Sequence, residues 1–418
     1  MKILITTEWY APVINGVVTS VMNLQRELEK LGHEVKVLTL SYTTESYTDG
    51  NVTYIGSLNA GIIYPQARVA VDLRCEEIEK LIQWGPQVIH TQCEFSTFFI
   101  AYKISRELHV PIVHTYHTVY EDYTHYFSPV KKWGKAVVST FTKKVLSHTG
   151  CVIVPTEKVR QILLRYGINQ EIRVIPTGID LSKYSKVLSE EDRISLRLKL
   201  GIPARARVAV FVGRLAREKN LEEIISMVSM EKPDNFRLLI VGDGPYRSVL
   251  EEYADNCGLG EQVIFTGMIA PDEIYRYYQV GDVFVSASTS ETQGLTYVEA
   301  LANGLPALCR KDKCLEGVIE DDVNGWQYED HIDFSEKLQK ILAPENQELR
   351  YRFSVNAREK VFRCYSAEQF AASMERVYEE CGLLKGDSYE KNVLYTDGVV
   401  PGSNGSFYCV RTEGRDFL

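Results

Sequence analysis

Two carboxylates mark the stretch of this chain that is richest in usable chemistry. Glu291 sits in a run of small polar residues, 286–294, that follows the apolar Val283-Phe284-Val285. Glu299 comes next on an amphipathic helix predicted over residues 297–303, opened by Thr296 and stopped by Gly304 and Pro306. A helix N-terminus offers unpaired N–H groups and the positive end of a dipole, which suit a phosphate. Backbone N–H groups at Gly294, Leu295 and Thr296 would supply them. Carboxylates on either side accept hydrogen bonds from sugar hydroxyls. Phosphate flanked by hydroxyl acceptors describes a nucleotide-sugar. Taken singly, each glutamate reads more simply as a solvated acid, so the decision rests on the rest of the chain.

Cations come from a second loop. The strand predicted over 208–212 runs into Gly213-Arg214 and then Glu218-Lys219-Asn220. No Asp-x-Asp pair follows a strand to hold a divalent ion, so the charge of a departing diphosphate falls to Arg214, Lys219 and helix N–H groups. Strand 238–241 runs into Gly242-Asp243-Gly244-Pro245, and strand 263–265 into Thr266-Gly267-Met268-Ile269. With strand 282–285 these make four strand–loop–helix units, hence a parallel sheet.

The first half positions a different set. Strand 2–7, a loop ending at Gly16, a helix and strand 35–40 open a doubly wound sheet. The helix carries Val17, Val21, Leu24, Leu28 and Leu31 on one face and closes at Gly32. The loop has no G-x-G-x-x-G, which speaks against dinucleotide binding. Asn15-Gly16-Val17 could bring N–H groups to an anion, and Gly16 could equally be a plain turn residue. Strands follow at 88–91, 112–116 and 152–155. Strand 112–116 feeds residues 117–126, which hold two His, one Asp and three Tyr. His117, directly off a strand end, is a candidate site residue; Tyr120, Asp122, Tyr123 and His125 are candidates for the acceptor side.

Segment 130–148 has five lysines and no acid. Val130, Trp133, Val137, Phe141 and Val145 form one helical stripe, and Lys131, Lys132, Lys135 and Lys143 another arc. Such a helix suits an anionic membrane surface, with Trp133 and Phe141 as the inserting groups. A core-packed helix with a solvated lysine face accounts for the pattern equally well.

Totals set the frame. A chain of 418 residues predicts two domains. We place them at residues 1–178 and 179–364, with a polar tail over 383–418. A net charge of −9 argues against nucleic acid as a partner. Nine scattered cysteines without a C-x-x-C pair predict reduced thiols in a cytoplasmic protein. The first residues already read as a strand, so no signal peptide is expected, and no apolar run reaches the roughly 20 residues that span a bilayer.

Together, Gly213-Arg214, Glu218-Lys219-Asn220, Gly242-Asp243-Gly244-Pro245 and Glu291 with Glu299 resemble the retaining, metal-independent glycosyltransferases of family four. The resemblance covers roughly residues 1–380 and implies the GT-B fold: two Rossmann-like, doubly wound parallel-sheet domains facing across a cleft. It also implies that a C-terminal helix, 365–382, completes the first domain. By resemblance, Arg214 and Lys219 bind the diphosphate, Glu299 the ribose, and Glu291 hydroxyls of the donor sugar. Gly213, Gly294, Leu295 and Thr296 hold phosphate and sugar, and Met268 and Ile269 hold the base. Gly16 and Val17 lie near the phosphates, and His117 beside the anomeric carbon. No cofactor or metal is implied. Within the family, Thr115-Tyr116-His117-Thr118, residues 120–126 and Cys314-Leu315-Glu316-Gly317-Val318-Ile319 look like the bacterial diacylglycerol glucosyltransferases. That likeness implies a UDP-glucose donor, a lipid acceptor and attachment to the inner face of the cell membrane. Asn15-Gly16 and Lys311-Asp312-Lys313 stand where many family members have Gly-Gly, so a soluble acceptor stays open. A protein on the same fold that only binds or isomerises nucleotide-sugars is the reading from another class.

Overall fold

A computed structural model of the protein describes residues 1–61, 67–121, 131–231, 235–383, 399–401 and 407–409. The chain divides into two compact units, Met1–Gly178 with Ala367–Leu418, and Ile179–Ser366.

The first unit contains β1 (Lys2–Thr6), α1 (Gly16–Lys30), β2 (Glu34–Leu40), β3 (Tyr47–Asp49), β4 (Val52–Ile55), β5 (Ser57–Asn59), β6 (Arg68–Ala70) and α2 (Glu76–Trp84). It continues through β7 (Val88–Thr91), α3 (Ser96–Leu108), β8 (Ile112–Thr115), α4 (Lys131–Leu146), β9 (Cys151–Val154), α5 (Glu157–Arg165) and β10 (Glu171–Val174). Eight strands form one sheet in the order β10-β9-β8-β7-β1-β2-β4-β3. All neighbours are parallel except β3 and β4, which pair antiparallel. The doubly wound parallel sheet is as expected, and at its edge it carries this antiparallel pair. Its cause is local: Gly50, at φ 56°, turns the chain directly after Asp49, and the cross-strand partners Tyr47 and Tyr54 stack at 4.7 Å.

Parallel strands are covered on both faces, and β1 shows how. Ile3 and Ile5 belong to one core cluster and Leu4 to the other, as the two-residue period of a strand requires. The first cluster takes Val21, Leu24 and Leu28 from α1, spaced for one helical face. The second takes Ile78 and Leu81 from α2 and Phe98, Ala101 and Ile104 from α3.

The second unit holds α6 (Glu190–Lys199), β11 (Arg207–Val212), α7 (Leu221–Glu231), β12 (Phe236–Val241), α8 (Arg247–Asn256), β13 (Val263–Phe265) and α9 (Ile274–Gln279). β14 (Val283–Ser286), α10 (Leu295–Ala302), β15 (Ala307–Arg310), β16 (Gly325–Tyr328), α11 (His331–Leu342) and α12 (Gln347–Cys364) complete it. Its sheet runs β13-β12-β11-β14-β15-β16, all parallel. The same alternation recurs on β11: Val208, Val210 and Val212 face one core, Ala209 and Phe211 the other.

α13 (Ala367–Leu383) then returns to the first unit, where Phe370, Met374, Val377 and Tyr378 join the cluster under α1. His90, buried on β7, ties it in: its Nδ1 meets the Tyr378 hydroxyl at 2.6 Å, and its Nε2 the Thr115 hydroxyl at 2.7 Å. Beyond α13 only β17 (Val399–Pro401) and β18 (Phe407–Cys409) are described, paired antiparallel. Seven cysteines are free thiols, while Cys364 is disulfide-bonded, which corrects the expectation of reduced thiols at that position. No helix among the described residues is long and apolar enough to cross a membrane.

Candidate active site

Both sheets reverse their strand order beside their first strand, between β1 and β7 and between β11 and β14. Loops leaving the two strands at such a point part company, and the crevice they leave is where open α/β sheets bind ligands. In the second unit those loops carry Gly213 to Asn220 and Ala287 to Gly294. The Lys219 ammonium donates to Glu291 across them, and the Ser290 hydroxyl donates to the Glu218 carbonyl at 3.3 Å. Arg214 is exposed and bonded to Glu218, four residues on. Each candidate phosphate cation thus has a carboxylate partner.

The supporting turns require glycine. Gly294 caps α10 at φ 72°, and a Cβ there would come within 2.3 Å of the Tyr297 ring. A Cβ on Gly244 would come within 2.2 Å of the Leu215 carbonyl, because the loop after β12 lies directly on the loop after β11. Leu215 N–H donates to the Asp243 carbonyl at 2.9 Å across that contact. Next along, Gly242 N–H donates to Gly267 at 3.1 Å, which fixes Met268 and Ile269 beside the group. Met268 is exposed and Ile269 half-buried. α10 begins two residues earlier than expected, at Leu295, so Leu295 and Thr296 lie in its first turn.

Glu299 is not a solvated helix acid. Tyr278 donates to its Oε2 at 2.8 Å, and Tyr184 donates to it as well. Burial holds the Glu299 carboxyl above its usual range, partly offset by those two bonds. Neither tyrosine stood out in the sequence. Tyr278 lies within α9 and Tyr184 in the stretch leading to α6, and no local spacing links them to a carboxylate 21 residues or more away.

In the first unit, β8 ends at Thr115, so His117 lies in the loop beyond. Its Nε2 meets Gln92 Oε1 at 2.6 Å, so the imidazole is the donor. Burial, with His114 nearby, lowers the His117 pKa to about 3, so the ring is neutral at ordinary pH. Gln92 is buried after β7, and its Nε2 finds no hydrogen-bond partner. Tyr120 donates to buried Glu94, which also receives His114 Nε2 at 3.2 Å. Glu8, Gln92 and Glu94 escaped the sequence reading. The signal was there: they are polar residues within three positions of the ends of β1 and β7, the pattern that singled out His117. Gly16 is the first residue of α1, capped by Asn15, whose side chain accepts from Val18 N–H at 2.9 Å; Val17 follows, half-buried.

Asp122, Tyr123 and His125 lie outside the described residues, as do the side chains of Lys131, Lys132 and Trp133. α4 is helical as predicted, but its faces are not all free. Phe141 is half-buried: it stacks on Phe95 at 5.6 Å and packs against the core under α3. Lys135 pairs with Glu121 at 2.6 Å, while Lys143 and Lys144 are exposed. Among the described residues no group of three or more His, Cys, Asp or Glu could hold a metal ion.

Residues 14–183 match the family Glycosyltransferase Family 4, and residues 192–360 match Glycosyl transferases group 1. The chain is 35% identical over 403 residues to an alpha-monoglucosyldiacylglycerol synthase of Streptococcus pneumoniae, covering 96% of this chain and 90% of that one. It is 34% identical over 396 residues to the enzyme of the same name from Acholeplasma laidlawii, covering 90% and 96%. The structure of Anabaena Alr3699/HepE in complex with UDP and glucose superposes with a TM-score of 0.71 at 18% identity, covering 91% of this chain and 100% of that one. Two parallel-sheet α/β units with these matches make a GT-B fold, and the chain belongs to the family-four glycosyltransferases.

Proposed function

We propose that the protein transfers glucose from UDP-glucose to the free hydroxyl of a diacylglycerol, with retention of the α-configuration, at the inner face of the cell membrane. The observation that carries this reading is the near full-length likeness to two alpha-monoglucosyldiacylglycerol synthases. The second unit supports the donor half. Lys219 and Arg214 meet the diphosphate, the first turn of α10 adds N–H groups, Glu299 takes the ribose hydroxyls, and Glu291 takes hydroxyls of the sugar. Met268 and Ile269 lie where backbone can hold the base. Negative charge grows on the leaving phosphate in the transition state, so the cations and N–H groups that meet it lower the barrier. The acceptor proton passes to the departing phosphate oxygen, and no protein nucleophile or metal takes part. His117, neutral and held by Gln92, offers the sugar a hydrogen bond without adding charge.

The test is incubation with labelled UDP-glucose and UDP-galactose in the presence of mixed lipid extract, with products identified by mass spectrometry. A labelled monoglucosyl lipid is expected, at undiminished yield in EDTA. A water-soluble glycoside as the only product returns the acceptor to the soluble class, and activity that requires Mg²⁺ or Mn²⁺ ends the metal-free mechanism.

A further inference from the structure

The first unit contains a cavity of about 230 Å³ at the ends of β1, β2 and β4. This is below the roughly 300 Å³ at which pockets enclose a drug-sized ligand, so it can take a headgroup and leave long chains outside. Aromatic rings of Trp9, Tyr10, Tyr42 and Tyr54 line it. Two of them are fixed: Tyr10 donates to Gln25 at 2.6 Å, and Tyr54 stacks on Tyr47. Arg68 also lines it, but its guanidinium is committed to holding loops. It donates to the Ser57 hydroxyl at 2.6 Å, the Ser41 carbonyl at 3.0 Å, the Tyr42 carbonyl at 2.8 Å and the Ser57 carbonyl at 3.0 Å.

Glu8 lines the same cavity while only 6% exposed. Thr97 donates to it twice, from its backbone N–H at 2.8 Å and its hydroxyl at 3.0 Å, and both bonds fall on Oε1. Among the described residues, Oε2 is left as the oxygen Glu8 can present to a ligand. The groups around it do not favour a charge there. Glu94 adds a like charge, and burial pushes the Glu8 carboxyl up to about 7 against the two Thr97 bonds. Cys93, whose sulfur accepts from Glu8 N–H at 3.5 Å, is itself pushed up by burial and stays a thiol. Tyr10 is pushed up to about 12 and Tyr54 is raised, both chiefly by burial, so neither phenol ionises. Below neutral pH the cavity therefore presents an acid O–H, a donor, among aromatic rings, with the Arg68 guanidinium held at its wall by loop oxygens.

We propose that this cavity receives the headgroup of the acceptor and that Glu8 donates a hydrogen bond from Oε2 to an ester carbonyl of a neutral diacylglycerol. The inference rests on the lipid-acceptor reading above. A diacylglycerol headgroup bears one hydroxyl and two ester carbonyls and no charge. Carbonyls only accept, so they need a donor, and a neutral donor among aromatic rings is what the cavity supplies. A phosphate-bearing glycerolipid would set its charge beside the Glu8 carboxyl and would compete with the Ser41, Tyr42 and Ser57 oxygens for the Arg68 guanidinium, which disfavours it.

Mixed micelles of the protein with 1,2-diacylglycerol or its 1,2-dialkyl ether test this, because the ether keeps the hydroxyl and chains but lacks both carbonyls. The wild type should prefer the ester by roughly tenfold in kcat/KM, the scale of one hydrogen bond in a dry site. Glu8→Ala should erase the preference and raise KM for the ester about tenfold, with UDP affinity unchanged. Glu8→Gln still donates, so it should keep the preference from about pH 6 to about pH 8, whereas the wild type loses it as the carboxyl ionises above about 7. Glu8→Ala with the ester preference intact overturns the proposal and leaves the lipid-acceptor reading standing. A wild type that uses neither lipid but glucosylates a soluble acceptor overturns both. Should Glu8→Ala fail to fold, the other two proteins decide: a wild-type preference that does not change across neutral pH overturns the proposal.

Discussion

Lys219→Ala is the perturbation whose size the structure defines best. The Lys219 ammonium is bonded to Glu291, with side chains 18% and 16% exposed. Two opposite charges about 4 Å apart attract by about 4 kcal/mol at an effective dielectric of about 20, before any desolvation cost. Truncating the lysine has two consequences. It removes one cation from the leaving diphosphate, a loss of about 3 kcal/mol in the transition state, or roughly 10²-fold in kcat/KM. It also leaves the Glu291 carboxylate unbalanced beside the phosphates, and that repulsion adds up to roughly another tenfold. The expected loss in kcat/KM is therefore about 10²–10³-fold. Glu291→Ala alone should spare UDP affinity and lower turnover, since its expected partner is the transferred sugar. The double variant then separates the effects. Removing Glu291 from Lys219→Ala lifts the repulsion, so the double variant should bind UDP more tightly than Lys219→Ala, by up to about tenfold, while turnover stays low. Calorimetry with UDP on the four proteins, with glucose transfer measured in parallel, gives the full cycle. Strict additivity, or a double variant that binds UDP more weakly than Lys219→Ala, would refute the argument that this pair is the charge balance of the donor site.

Glu299→Ala should weaken UDP binding more than Glu291→Ala does, because its expected partner is the ribose; equal losses by calorimetry would show the roles misassigned. His117→Asn should cut turnover with little change in melting temperature near pH 7. The folded His117 pKa of about 3 lies below the ordinary 6.5, so the unfolded chain binds more protons between those values, and stability is lost as pH falls through that window. Melting of His117→Asn should accordingly fall less steeply than that of the wild type between about pH 7 and about pH 4; parallel curves would remove His117 from the acid response. For the membrane, changing Lys131, Lys132, Lys135 and Lys143 to Ser should abolish salt-sensitive sedimentation with anionic liposomes. Lys135 is already paired with Glu121, so the other three contribute roughly 3 kcal/mol, about 10²-fold in partitioning. Undiminished sedimentation of the quadruple variant would sink a role for these lysines.

The fold was legible because each main strand is a short apolar run ending in polar residues. β7 and β13 were placed without error, and most other boundaries fall within two residues of those expected. What escaped was what sequence distance hides. The β3–β4 hairpin rests on Asp49-Gly50, a turn signal that a search for parallel strands passes over. Phe141 reads as one of an amphipathic stripe, and nothing in that stripe foretells its stacking on Phe95. The donor loops were visible because glycines, cations and acids crowd a few positions. The Tyr278 and Tyr184 bonds to Glu299 were not, because burial recruits them from separate elements.

The two switch points share one strand order and differ in what they hold. In the second unit the loops after β11 and β14 carry full charges, paired with each other and only partly buried. Such pairs contribute little stability at a surface. On the proposed reading their worth is positional: the carboxylates would keep Arg214 and Lys219 in place until a diphosphate competes for them. In the first unit the loops after β1, β7 and β8 hold a neutral His117, a Glu8 carboxyl near its protonated range and phenols that do not ionise, beside the one buried carboxyl, Glu94, that Tyr120 and His114 meet. Desolvation is the dominant cause in each case, so the neutrality follows from the sheet's burial of these residues. The proposed reaction releases a charged diphosphate as the sugar passes to an uncharged lipid, and it would draw on both environments. On the proposed reading, preformed cations would serve the phosphate, and buried hydrogen-bonding groups held largely uncharged would meet an acceptor that brings no charge of its own.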